Sequence, residues 1–91
     1  MKRAAMVLNP RDNVAVALRD LKVGEEVEVT SGGEVLVVQL LSDVPFGHKF
    51  ALAEIKKGEQ VIKYGEVIGI ATRDIKRGEH VHVHNVRSAR L

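Results

Sequence analysis

Three stretches decide how this chain folds: Asp20-Leu21-Lys22-Val23-Gly24-Glu25-Glu26-Val27, Glu54-Ile55-Lys56-Lys57-Gly58-Glu59-Gln60-Val61 and Asp74-Ile75-Lys76-Arg77-Gly78-Glu79-His80-Val81. They share one order: an acid, an aliphatic residue, Lys, a variable position, Gly, Glu, a variable position and Val. Such a phrase reads as a strand end, a tight turn and a new strand. The glycine accepts a positive φ that other residues resist, and the valine returns to the core. The copies begin 34 and then 20 residues apart. Unequal spacing argues against a solenoid and for a compact domain that reuses one turn. Repetition also marks Glu25, Glu59 and Glu79 as turn residues, and Gly24, Gly58 and Gly78, with Gly65 of the Tyr-Gly-Glu turn, read as structural.

Outward from the phrases, the chain breaks into short strands. Val14 to Leu18 alternates Val and Ala, and Val27 and Val29 flank Glu28. Glu34 to Leu41 is an apolar run behind a Ser31-Gly32-Gly33 hairpin turn. Past Pro45 and Gly47 come Phe50 to Leu52, Val61 to Lys63, a turn at Tyr64-Gly65-Glu66, and Val67 to Ala71. No segment carries a sustained 3.6-residue apolar stripe with a cap, although each phrase could also close as a short helix or 3₁₀ turn. The expected fold is mainly β, built of short, strongly bent strands in one domain over residues 1–91, with a core from about 12 to 86 between short tails.

Ninety-one residues hold only a small core, so a cleft wholly enclosed by this chain is not expected. The absence of cysteine excludes disulfides, thiol nucleophiles and thiolate metal sites. From Met1 to Leu8 the apolar stretch is too short for a signal peptide or a bilayer span, so a cytoplasmic protein without a membrane partner is expected. Net charge is only +2, with acids and bases interleaved. Nucleic acid is therefore not an expected partner: there is no one-sided basic stripe, and Phe46, Phe50 and Tyr64 make no stacking platform. Tyr64 reads as a packing residue of its turn, and Arg87 and Arg90 as a solvated tail. Surface left over on so small a chain makes self-association an open expectation.

The chemistry gathers at the end: His80-Val81-His82-Val83-His84-Asn85. Alternation with valine is the period of a strand, which would place three imidazoles on one face and Val81 and Val83 on the other. At a rise of about 3.3 Å per residue, neighbours at i and i+2 can share an ion, whereas His80 and His84, about 13 Å apart, cannot. On that geometry at most two of the three ligate one metal. The remaining histidine, His48, lies in an expected loop and is the natural third ligand or acid–base group. Lys49 and Arg73 are candidates for a substrate carboxylate, and Asn85 for orienting a ligand or binding a substrate hydroxyl.

Three motifs in order, Pro45-Phe46-Gly47-His48-Lys49, Ile62-Lys63-Tyr64-Gly65-Glu66-Val67-Ile68-Gly69 and Gly78-Glu79-His80-Val81-His82-Val83-His84-Asn85, accompany the Asp-Ile-x-x-Gly-Glu phrase of SAF-type β-clip domains. Together they resemble the small N-terminal domain of altronate and galactarate dehydratases, over about Asp12 to Val86. The resemblance implies a small subunit of a sugar-acid hydro-lyase, working beside a separately encoded large catalytic subunit. It also implies a divalent metal, iron(II) first, with zinc or manganese as alternatives, since imidazole suits more than one ion. The family phrase His-x-His-Asn implies His82 and His84 as the central metal pair, with His48 as third ligand, all three being catalytic candidates. Two other readings stand beside this one: a (2R)-sulfolactate sulfo-lyase small subunit, and a non-catalytic SAF module that binds carbohydrate or protein.

Overall fold

A computed structural model describes residues 3–89. Met1, Lys2, Arg90 and Leu91 lie outside it, and with them the reading of Arg90 as a tail and the start of the Met1–Leu8 stretch. Among the described residues nine strands form: β1 (Ala5–Met6), β2 (Val14–Ala17), β3 (Glu26–Ser31), β4 (Glu34–Gln39), β5 (Lys49–Ala51), β6 (Gln60–Lys63), β7 (Glu66–Ala71), β8 (His80–Val81) and β9 (Val86–Ser88). No helix occurs among the described residues, so each phrase closes as a turn. The mainly β fold expected from the sequence is the fold observed.

The strands make three small antiparallel sheets, ordered β1-β2-β5-β8, β3-β4 and β6-β7-β9. The first divides the core. Period-two alternation sends Ala15, Ala17, Phe50 and Leu52 to one side, where they meet Val27, Val29, Val38 and Leu40 of the β3-β4 hairpin. Val14 and Ala51 face the other side, against Val61, Ala71 and Val81. Strands β2 and β5 thus serve two cores at once, so that one short chain builds both. Ala5 in β1 completes the first core, and β9 extends the sheet of the second by pairing with β7.

The turns are built alike. Gly24 donates its N–H to Leu40 O, Gly58 to Ala71 O and Gly78 to Ala51 O, each at 2.8 Å, with positive φ at all three. In each turn the glutamate carboxylate accepts the amide N–H of the lysine three residues back: Lys22 N to Glu25 at 2.5 Å, Lys56 N to Glu59 at 2.6 Å and Lys76 N to Glu79 at 3.0 Å. That bond is why Glu follows Gly every time. Gly78 carries a second constraint, because a Cβ there would collide with the backbone of Gln39.

A fourth turn has the same backbone. In Asp43-Val44-Pro45-Phe46-Gly47-His48, Gly47 N donates to Ala17 O and His48 N to Pro45 O, both at 2.9 Å, with Gly47 at φ 81°. The turns pair back to back, Leu21 bridging Val44 and Ile55 bridging Ile75. Asp20 and Asp43 seal the first pair by accepting the N–H groups of Phe46 and Val23 at 2.8 and 2.9 Å. Two turn pairs, each enclosing a hairpin, give the chain a twofold internal likeness, and the fourth turn carries His48 where the others carry Glu.

Candidate functional site

The histidine run is not one strand. It leaves the sheet after β8, bends at His82, and turns through Val83, His84 and Asn85 before entering β9. Asn85 N and Val86 N both donate to His82 O at 3.1 Å. The Asn85 side chain fixes the bend: Oδ1 accepts His82 N, and Nδ2 donates to His80 O, each at 2.9 Å. With Asn85 fully buried, local side-chain-to-backbone bonding overrides the strand preference of the valines. Val81 and Val83 do not share a face as expected: Val81 is 0% exposed and Val83 82%.

This corrects the separation expected of an extended run. The rings of His80 and His84 lie 5.3 Å apart at their centroids, whereas an extended run would hold their Cα atoms about 13 Å apart. His48 is brought to the same place because β5, which begins beside it, pairs with β8. His48 Nδ1 lies 2.9 Å from His80 Nε2, and the His48 ring stacks on that of His82 at 4.3 Å. Ser42 Oγ accepts the backbone N–H of His80 at 2.9 Å and fixes the start of the run.

One nitrogen from each of His48, His80 and His82 lies within 4.8 Å of the other two. Ligand nitrogens at about 2.1 Å around a tetrahedral ion sit roughly 3.4 Å apart, so small ring movements would bring the trio to one ion. The donor set fits a divalent metal that accepts imidazole. His84 stands just outside, exposed and against His80. The structure thus gathers His48, His80 and His82 most closely, and leaves His84 of the His82–His84 pair implied by the family phrase at the edge of the cluster. The signal for the bend was Asn85, a turn-forming residue at the end of the run.

Other candidates fall at different distances from this cluster. Lys49, half-buried on β5, bears electrostatically on both His80 and His82. Burial, and then the charge of Lys63, pushes its own pKa down. Arg73 is exposed ahead of the last turn, and no hydrogen bond or ion pair ties it to the cluster among the described residues. Asn85 commits both ends of its amide to the backbone, so it shapes the site through the turn. Tyr64, at φ 59°, sits in its turn with its N–H held by Asp12.

The family model described as the altronate/galactarate dehydratase SAF domain matches residues 3–89. The chain belongs to this family. Altronate dehydratase of Escherichia coli K12 is 56% identical to this SAF domain over 77 residues, which span 85% of this chain but 15% of that enzyme. The (2R)-sulfolactate sulfo-lyase subunit alpha of Paracoccus pantotrophus is 44% identical over 62 residues, 68% of this chain and 92% of the subunit. Galactarate dehydratase (L-threo-forming) of E. coli K12 is 37% identical over 70 residues, 77% of this chain and 12% of that enzyme. The SAF domain therefore spans a small part of the dehydratases and nearly all of the alpha subunit. No helix among the described residues is long and apolar enough to cross a membrane.

Acid should weaken the fold at this cluster. Burial, and then the charges of His48, His84, His82 and Lys49, push the His80 pKa from its ordinary 6.5 down to about 4. Between those values the unfolded chain binds more protons than the folded one, so stability held in full above the ordinary value falls as pH drops toward the lower one. A metal-free thermal melt series should show Tm falling through that window. His80→Gln should flatten the fall; an unchanged slope would remove His80 as its source.

Proposed function

We propose that this SAF domain is the small, histidine-bearing part of a metal-dependent lyase that dehydrates sugar acids of the altronate or galactarate type, together with a separately encoded large catalytic subunit in the cytoplasm. The observation that carries this reading is the convergence of His48, His80 and His82 in a chain of this family. The three imidazoles would hold the ion, iron(II) first, with zinc or manganese as alternatives. Held there, such an ion would supply Lewis acidity for the negative charge that develops when the proton beside a carboxylate is removed and a β-hydroxyl departs.

The chain's own residues do the rest of its share. Depressed pKa values at His80 and His82 keep both imidazoles unprotonated at neutral pH and available as lone-pair donors. Lys49 draws the substrate carboxylate toward them. His84, exposed beside His80, is placed to carry a proton between the site and water. Asn85 holds the His80 and His82 backbones in register. Arg73 would meet substrate only through the large subunit.

A second reading has its own support: the sulfo-lyase alpha subunit is nearly the same length as the aligned region, which favours a free-standing small subunit and admits sulfite in place of water as the leaving group. The test is reconstitution of this chain with a large subunit of the same family, assayed on hexonates, hexarates and sulfolactate with and without added iron(II). Metal-dependent dehydration supports the first reading and sulfite release the second. Neither activity, with no metal uptake, would leave a non-catalytic carbohydrate- or protein-binding module.

A further inference from the structure

Three of the four turns spend the side chain after glycine on capping: Glu25, Glu59 and Glu79 each accept the N–H of the lysine three residues earlier. The fourth turn keeps the backbone and drops the cap. His48 N still donates to Pro45 O at 2.9 Å, and His48 O accepts Ala17 N at 2.8 Å. The residue in the lysine position, however, is Pro45, which has no amide hydrogen to offer. An acceptor at position 48 would find nothing to bind within its own turn. His48 instead directs Nδ1 to His80 Nε2 at 2.9 Å and stacks on His82.

We propose that Pro45 is a positioning residue of the imidazole site: by removing the N–H that the turn would otherwise cap, it frees position 48 to present its ring to His80 and His82. The site is thus a structural turn diverted to a new use. Restoring an N–H at position 45 would offer His48 Nδ1 a competing partner within the turn, and that nitrogen is the atom that faces His80. Both aspartates of the turn pair bond elsewhere, to Phe46 N and Val23 N, so they do not already serve as the missing cap. The proposal rests on the metal-site reading for its functional meaning, but its structural half can be tested without metal.

The experiment compares the wild-type chain with Pro45→Lys, His48→Glu and the double variant by metal-free thermal melts, Co(II) titration followed by absorption, and imidazole ¹⁵N spectra. Pro45→Lys should leave Tm near wild type, shift the His48 Nδ1 resonance, and weaken Co(II) binding by roughly 10-fold, the scale for losing a group that orients a ligand. The double variant, with the Lys–Glu cap of the other turns rebuilt, should melt roughly 5 °C above His48→Glu alone. Unchanged His48 resonances in Pro45→Lys would overturn the proposal, as would equal melting of the double variant and His48→Glu alone. If the wild-type chain takes up no Co(II), the metal reading fails, and the spectra and melts still decide whether Pro45 releases His48.

Discussion

Replacing His80 by alanine is expected to weaken metal binding by more than the roughly 10–100-fold that loss of an orienting group costs, whereas His84→Ala should stay within that range. The contrast follows from where the bend puts each ring. His80 supplies one of three nitrogens lying within 4.8 Å of one another, and His84 stands outside that trio. His48→Ala and His82→Ala should resemble His80→Ala. Co(II) titration of the four purified variants checks the order, with turnover beside the large subunit as a second readout. A greater loss from His84→Ala than from His80→Ala would move the metal to the pair implied by the His-x-His-Asn phrase.

Asn85→Ala should be the most destabilising single change near the site. Its amide satisfies His82 N–H and His80 C=O inside the protein, and truncation strands both groups while leaving a void. An unsatisfied buried group costs about 1–3 kcal/mol, so the pair predicts a loss of roughly 2–6 kcal/mol, a large share of the roughly 5–15 kcal/mol typical of a domain. Asn85→Asp keeps the acceptor and loses the donor, and should fall between wild type and alanine at neutral pH. Urea denaturation measures all three. A loss under about 1 kcal/mol for Asn85→Ala would mean that the bend holds without the amide.

Much of the fold is legible in the sequence because the physics that sets it is local. The Gly-Glu turns need a positive φ and a carboxylate near a free N–H, and both requirements are visible in Lys-x-Gly-Glu. The β3-β4 and β6-β7 hairpins follow from Gly32-Gly33 and Tyr64-Gly65 between apolar runs. The histidine run departs from its periodicity for a reason equally physical. Alternating valines favour a strand, but a single buried Asn with two backbone partners outweighs them, and sequence alone does not show that Asn85 is buried. The fourth turn is hidden because Pro and His stand where Lys and Glu stand in the others, although Asp-aliphatic-x-x-Gly is there to be matched.

By itself the sequence determined the β class, the repeated turn and the presence of imidazole chemistry at one end, since each depends on residue type and short spacing. Only the tertiary structure decided which imidazoles meet. That depended on β5 pairing with β8, which brings His48 across 32 positions to His80, and on a bend that draws His84 back beside His80. Both are set by hydrogen bonds between segments distant in the chain or by the burial of one amide, and neither can be read from a periodicity.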